Sequence, residues 1–246
     1  MSRWTDQASW VGTTRHGGAM TGHRGLVVHI AEGFYTGTIA WQQGDNKVSS
    51  HFVLGRDGRC AQMVDTTNEA WAQRAGNAQW LSVECEGFTS GNPLHKQHPG
   101  WEVLSAAQVD RVARLLLKAH KSYGVPLQLA TSPGGSGLGH HSMGADWGHQ
   151  GCPGNPIIGQ KPAIVARARE LLGGVPPMVR FGAVNSTVSR AQTDANRVPN
   201  TGADVKVDGR YGALTEAKIK RVQHAAHLTE DGICGINTWA VLLKEE

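Results

Sequence analysis

A short break at Gly173-Gly174-Val175-Pro176-Pro177 divides this chain into two parts whose sequence patterns differ. Paired glycines end regular structure and consecutive prolines stiffen the backbone, so the combination is typical of a linker between domains. A chain of 246 residues is long enough for two such domains. We therefore predict a first domain at 1–173, a linker at 174–177 and a second domain at 178–246.

The first part alternates short apolar strands with helical segments. Apolar runs predict strands at 26–30, 49–54, 60–64 and 81–86, and Asp57-Gly58 between the second and third runs predicts a hairpin. A helix is predicted from a capping box at 105–108 to Gly124, and another over 163–172 behind Pro162. Strands interleaved with helices indicate an α/β domain.

The second part repeats itself. The pattern Asp-Gly-x-x-Gly-x-x-Thr occurs at 208–215 and again at 231–238, and each copy precedes a helical pattern. These two turn-helix units predict a small all-α domain. We expect the glycines to supply positive φ in each turn and the threonines to cap the helices.

Composition excludes several classes of protein. No apolar run approaches the ~20 residues of a membrane span, so membrane insertion is not expected. The 24 basic and 20 acidic residues give a net charge of +4 without a basic cluster, which argues against nucleic-acid binding. Residues 1–7 lack the pattern of a secretory signal, so we expect synthesis in the cytoplasm without a signal peptide. Four cysteines are too few for a disulfide framework at this length.

The loop at 139–154 has the richest chemistry in the chain. It carries three histidines and Cys152 among glycines, and imidazole nitrogen with thiolate sulfur is a donor set that suits zinc. His29, in a buried strand, is the natural further ligand. Three protein ligands leave the fourth tetrahedral position for water, which is typical of a catalytic zinc.

Two glutamates and the cysteine offer further chemistry. Glu84 and Glu86 alternate along one predicted strand, so both fall on one face, where they either supply a general base or form a solvated surface. The rival use of the same atoms is a cysteine nucleophile, Cys152, with His141 or His29 as its base. Pro153 directly after the cysteine weighs against that alternative, because such nucleophiles are often placed at a helix N-terminus.

Taken together, residues ~24–172 resemble the zinc-dependent N-acetylmuramoyl-L-alanine amidases, which share a fold with peptidoglycan recognition proteins. The matching segments are 27–29, 48–52 with 56–58, Ala70-Trp71, Asn77, 83–87 and Cys152-Pro153-Gly154. The resemblance implies a central mixed β-sheet with flanking helices and a zinc cleft on one face.

The resemblance also implies roles for individual residues. His29, His141 and Cys152 correspond to the zinc ligands, with His140 as the alternative to His141. Glu84 corresponds to the catalytic glutamate, with Glu86 second.

Three positions depart from the family pattern. Gln150 stands where relatives carry Lys or Thr facing the substrate oxygen, and its amide would be a weaker oxyanion donor. Ser50 replaces a tyrosine found in some phage enzymes, which favours Glu84 as the base, and Ala72 replaces a histidine. Trp71, Trp147 and Asn77 either line the cleft or pack.

Residues ~178–246 resemble the small helical peptidoglycan-binding domain. The two resemblances together imply a zinc-dependent hydrolase that cleaves the amide between N-acetylmuramic acid and L-alanine. We expect a monomeric phage or prophage endolysin that acts on the cell wall after release. The alternatives are a recognition protein without hydrolysis and a cysteine amidase or peptidase that uses Cys152.

Overall fold

The computed structural model describes residues 3–173 and 176–243, and the chain divides between residues 171 and 172 into two compact units. Gly174 and Val175, half of the predicted linker, lie outside the described residues. Among the helices that are described, none combines the length and apolarity needed to cross a membrane.

The first unit is built on a mixed six-stranded sheet. The strands of this unit, in chain order, are β1 (Ser9–Trp10), β2 (His16–Ala19), β3 (Gly25–Ile30), β4 (Phe52–Leu54), β5 (Cys60–Gln62), β6 (Asn68–Ala70), β7 (Trp80–Cys85) and β8 (Gly137–His140). The large sheet has the order β1-β5-β4-β7-β3-β8, and β2 pairs with β6 in a separate ribbon. Only β4 and β5 run antiparallel within the large sheet.

The sequence of the central strands explains their position. All six residues of β3 are buried, and β3 pairs in parallel with β7 on one side and β8 on the other. A parallel strand covered on both faces requires such a continuous apolar run. The predicted hairpin between β4 and β5 is confirmed, and Gly58 adopts φ 87° in its turn.

Three helices flank the sheet: α1 (Tyr35–Gln43), α2 (Ala106–Tyr123) and α3 (Asn155–Leu171). The predicted capping box is present, because the Ser105 and Gln108 side chains each accept a hydrogen bond from the other residue's backbone N–H. The helix ends at Gly124, which adopts φ 72°. The expected α/β class with a mixed central sheet and flanking helices is confirmed.

Helix α3 begins eight residues before the predicted start at 163, so that boundary was wrong. Pro162 lies inside the helix instead of at its beginning, and Pro156 occupies the first turn. An internal proline removes one backbone hydrogen bond. The apolar face of α3, which buries Ile157, Ile164 and Ala168, offsets that loss.

The second unit is all-α, as expected, but contains one helix more than the repeat predicts. Its helices are α4 (Ser186–Arg197), α5 (Ala213–Ala225) and α6 (Ile236–Leu242). Helix α4 precedes the first repeat and is capped by Asn185, whose side chain accepts a hydrogen bond from the backbone N–H of Val188. The core includes Tyr211, Ile219 and Trp239.

The duplicated motif builds the same hydrogen-bond network twice. Gln223 Nε2 donates to Asp231 Oδ1 at 2.7 Å, to the carbonyl of Ile233 at 3.0 Å and to Thr238 Oγ1 at 3.0 Å. Gln223 Oε1 accepts from the N–H of Gly232 at 2.9 Å. Gln192 makes the equivalent contacts in the first copy of the motif. Its partners there are Asp208, Gly209, Arg210 and Thr215.

The structure of the two motif copies corrects the expected role of the threonines and confirms that of one glycine in each copy. Thr215 and Thr238 do not cap their helices, because the cap positions are Gly212 and Gly235 and each threonine hydroxyl is held by its glutamine. Positive φ is confirmed for the first glycine of each copy, at 72° for Gly209 and 70° for Gly232. It is wrong for the second glycine, because φ is -98° at Gly212 and -92° at Gly235.

Candidate metal centre

Three side chains meet beside the adjacent strands β3 and β8. His29 lies on β3, His141 directly follows β8, and Cys152 lies in the loop before α3. One ligand atom from each residue lies within 4.8 Å of the others, and His29 Nδ1 is 3.9 Å from Cys152 Sγ. Zinc–nitrogen and zinc–sulfur bonds of normal length place tetrahedral ligand atoms ~3.5 Å apart. The spacing is therefore close to that of a zinc site.

The histidine doublet is divided between two environments. His141 joins the cluster, whereas His140 Nδ1 lies 2.9 Å from Lys161 Nζ on α3. Burial lowers the pKa of His140 to about 4 and that of Lys161 to about 8. The structure thus brings His141 next to His29 and gives His140 a packing role.

The hydrogen bonds of the two imidazoles orient them for a metal. His29 Nε2 lies 3.3 Å from Gln73 Oε1, and the Gln73 amide nitrogen already donates to the carbonyl of Trp80. His141 Nε2 lies 3.0 Å from the carbonyl of Trp147. These acceptors place the proton on Nε2 and leave each Nδ1 free as a ligand atom, an arrangement common at metal-binding histidines. The residues present therefore fit a zinc ion.

Glu84 lies beside the cluster, and only one of its two carboxylate oxygens contacts a neighbouring polar group. It pairs with His29 across β7 and β3, and its Oε1 is 3.7 Å from His29 Nδ1. Its buried Oε2 has no hydrogen-bond partner among the described residues. Burial, together with the charge of Glu32, raises the pKa of Glu84 to about 7. A carboxylate with such a pKa is suited to accept and return a proton near neutral pH.

Cys152 does not have the environment of an activated nucleophile. Burial raises the pKa of its thiol, and the nearby carboxylate of Glu84 raises it further. A reactive cysteine needs the opposite surroundings, which stabilise the thiolate. All four cysteines are free thiols, including Cys60 and Cys85.

The cluster opens into a cavity of about 470 Å³. Trp71 lines this cavity, but Trp147 is buried elsewhere and Asn77 is not among the lining residues. The side-chain Oδ1 of Asn77 instead accepts hydrogen bonds from the N–H groups of Ala72 and Gln73. Lining side chains outside the metal cluster include Glu32, Thr38, Trp41, Val48, Thr89 and His149.

Two residues expected to act in catalysis lie outside the cavity. The Gln150 amide is turned into its own loop, where it donates to the carbonyls of Gly144 and Ala145. Glu86 follows the end of β7 at Cys85, so strand alternation no longer places it beside Glu84. Its carboxylate accepts hydrogen bonds from the N–H groups of Tyr35 and Arg56. Both placements favour structural roles.

The sequence reasoning missed two residues of the site. His149 adopts a left-handed φ of 46° and lines the cavity, with its ring centroid 5.5 Å from that of His141. Its position in the histidine-rich loop was a usable signal. Gln73, the partner of His29, carries no signal in its local sequence.

Comparison with known proteins gives matches over both units. The sequence profile of a family described as N-acetylmuramoyl-L-alanine amidase matches residues 20–155, just over half of the chain. A second profile, described as a peptidoglycan binding domain, matches residues 186–242.

One curated relative and one solved structure are similar to parts of this chain. N-acetylmuramoyl-L-alanine amidase A of Achromobacter lyticus is 33% identical over 94 residues, which is 37% of this chain and 47% of that protein. The chain thus spans about half the length of this curated relative. The crystal structure of the Staphylococcus aureus hydrolase AmiA in complex with its ligand is similar to this fold, with a TM-score of 0.51 and 14% identity. That likeness covers 70% of this chain and 87% of AmiA.

Proposed function

The chain belongs to the N-acetylmuramoyl-L-alanine amidase family, and we propose that it hydrolyses the amide between N-acetylmuramic acid and L-alanine in peptidoglycan, with zinc as its cofactor. The observation that carries this proposal is the convergence of His29, His141 and Cys152 beside Glu84 in one open cavity. The family membership supports the reaction class, and the ligand geometry supports the metal.

His29 and His141 would bind zinc through Nδ1, and Cys152 through Sγ. Bound zinc would supply a Lewis acid that polarises the scissile carbonyl and favours ionisation of water. Gln73 and the carbonyl of Trp147 hold the two imidazoles in the orientation that this requires.

Glu84 is the proposed proton carrier. Its carboxylate takes a proton from the water that attacks the lactyl carbonyl, and the C–N bond then breaks. Glu84 returns the proton to the amine of the departing L-alanine. Because Gln150 and Glu86 make other hydrogen bonds, neither has a step in this mechanism.

We propose that the second domain, at 178–246, holds the enzyme on its polymeric substrate, with 174–177 as the linker and 1–173 as the catalytic domain. The peptidoglycan-binding match at 186–242 supports this assignment. Tethering raises the local concentration of substrate without adding catalytic groups.

We further propose that the protein is a phage or prophage endolysin, because one chain combines a wall-hydrolysing family with a wall-binding one. Expression in a bacterial host should cause lysis only when the cytoplasmic membrane is also permeabilised. If permeabilised cells that contain the active enzyme do not lyse, the endolysin proposal is contradicted.

The decisive experiment measures the products released from purified peptidoglycan by the full chain. We expect new L-alanine amino termini without new reducing ends, loss of that release with a zinc chelator, and recovery on zinc addition. Cys152→Ser should be inactive, whereas Cys60→Ser, which alters a buried free thiol outside the cavity, should remain active.

The alternatives give different results. Release that resists the chelator but is lost on thiol alkylation would assign the chemistry to Cys152 as a nucleophile. Wall binding without any release would assign the protein to non-catalytic recognition.

A further inference from the structure

The second unit has a cavity of about 260 Å³ beside the first copy of the duplicated motif. Two cationic side chains line this cavity, Lys206 and Arg210, and both are exposed. Within residues 3–173 and 176–243, neither the Lys206 ammonium nor the Arg210 guanidinium makes a hydrogen bond or a close ion pair. Both charged groups are therefore available to a ligand.

The second copy of the motif shows that the fold does not need these two cations. In both copies the aspartate accepts hydrogen bonds from the amide nitrogen of its glutamine and from the backbone N–H two residues later. The second copy lies 23 residues further along the chain. Its residues at the positions of Lys206 and Arg210 are uncharged: Thr229 and Ile233. The same network thus forms without either cation.

The charged groups around the cavity favour an anion. Lys206 and Arg210 oppose one carboxylate, Asp208, and the remaining lining residues are uncharged. Asp208 Oδ1 already accepts two hydrogen bonds, at 3.1 Å and 2.9 Å. The second copy retains the aspartate without the two cations. An anionic ligand is therefore attracted to the first copy and not to the second.

The rest of the lining indicates what kind of anion fits. It includes three apolar side chains, Val205, Ala213 and Leu214, and Leu214 is 76% exposed. A group that carries a carboxylate next to a short apolar side chain matches both the cations and this apolar surface. A polyol phosphate matches the cations alone. The peptides of peptidoglycan carry a group of the first kind, a C-terminal alanine.

We propose that this cavity binds the C-terminal alanine of peptidoglycan peptides, with its carboxylate held by Lys206 and Arg210. The inference rests on the proposed wall-binding function of 178–246 and names the chemical group that is recognised. Binding is then strongest where peptides are not cross-linked, because a cross-link converts a terminal carboxylate into an amide.

The test is a nuclear magnetic resonance titration of the isotope-labelled full chain with the tetrapeptide L-Ala-γ-D-Glu-L-Lys-D-Ala. We expect shifts in the backbone amides of 205–215, which separate this site from the catalytic cavity residue by residue. Amidation of the C-terminal carboxylate should weaken the binding at 205–215 at least tenfold. Added salt should also weaken it, because ions screen exposed charges.

Arg210→Gln and Lys206→Gln should each weaken the binding about tenfold, the factor that about 1.4 kcal/mol produces. Arg180→Gln is the matched control, because Arg180 is also exposed and unpaired among the described residues of the second unit but lies outside this cavity. It should leave the affinity unchanged. Equal affinity for the free and amidated peptides, wild-type affinity in both cavity variants, or an equal loss in Arg180→Gln would overturn the proposal.

Co-sedimentation of the full chain with purified peptidoglycan, in the presence of a zinc chelator that prevents hydrolysis, distinguishes this proposal from the proposed function. Peptide shifts at 205–215 without wall binding would refute the wall-holding role and support the carboxylate site. Wall binding without those shifts would refute the site and leave the role standing. Shifts at 205–215 with poly(glycerol phosphate) but not with the tetrapeptide would overturn the peptide assignment in favour of a phosphate polymer.

Discussion

Replacing Gln73 by methionine tests whether the fold presets the orientation of His29. Gln73 is fully buried, with its Oε1 3.3 Å from His29 Nε2 and its Nε2 2.9 Å from the carbonyl oxygen of Trp80. Methionine has a similar length but forms neither hydrogen bond. The change leaves a buried N–H and a buried carbonyl without partners, at a cost of about 1–3 kcal/mol each.

The effect on the metal is separate from the effect on stability. Removing the partner of a metal-binding histidine typically weakens metal affinity by about 10–100-fold. Because 3.3 Å is long for such a hydrogen bond, we expect Gln73→Met to weaken zinc binding by about tenfold. Activity should return at high zinc concentration.

The assay is competition for zinc with a chromophoric chelator, alongside urea unfolding of the zinc-free protein. Gln62→Met is the matched control, because Gln62 is also buried, accepts from the N–H of Trp4 and donates to the carbonyl of Val64. It lies outside the cavity, so it should destabilise the fold without changing zinc affinity. Wild-type zinc affinity in folded Gln73→Met, or an equal loss in Gln62→Met, would refute the reasoning.

Three further predictions, made with four substitutions, test the site and its surroundings. Glu84→Gln should lower kcat on peptidoglycan by about 10²–10⁴-fold with zinc content unchanged by metal analysis, and a wild-type rate would exclude Glu84 as proton carrier. His141→Ala should lose stoichiometric zinc, whereas His140→Ala should keep it; the reverse result would exchange their roles. Burial lowers the pKa of His51 to about 4, so the folded state binds fewer protons than the unfolded state between about pH 6.5 and 4. The free energy of unfolding should therefore fall by up to about 3 kcal/mol as pH decreases through that range, and urea titrations of His51→Gln should show a shallower fall.

Local sequence patterns predicted the helices and strands whose positions are determined by residues close together in the chain. The capping box and the terminal glycine fix α2 within the chain itself, and Asp57-Gly58 fixes the hairpin between β4 and β5. The apolar run of β3 requires burial on both faces, which places His29 on an internal strand of the sheet, between β7 and β8. These features depend on nearest neighbours in sequence, so the sequence alone was sufficient for them.

The parts that were wrong or missed depend on distant contacts. The start of α3 was wrong because packing against the rest of the first unit outweighs the local signal of Pro162. Gln73 was missed because its partner, His29, is 44 residues away. Trp41 gives no sign in sequence that it is exposed, since tryptophan is usually expected in a core.

The sequence shows the histidine doublet but not which of its two residues enters the metal cluster. His140 is the last residue of β8, whereas His141 begins the short 3-10 helix that follows, so the two side chains lie on different elements. His140 is in register with Val28 on β3 and is held by Lys161 on α3, which leaves His141 to enter the cluster. The doublet is readable in the sequence, but the contact between Lys161 and His140, which are 21 residues apart, is not. The position of Lys161 therefore decides which histidine is available to the metal. Replacing Lys161 by methionine would remove the partner of His140 while leaving the ligand atoms of the cluster in place.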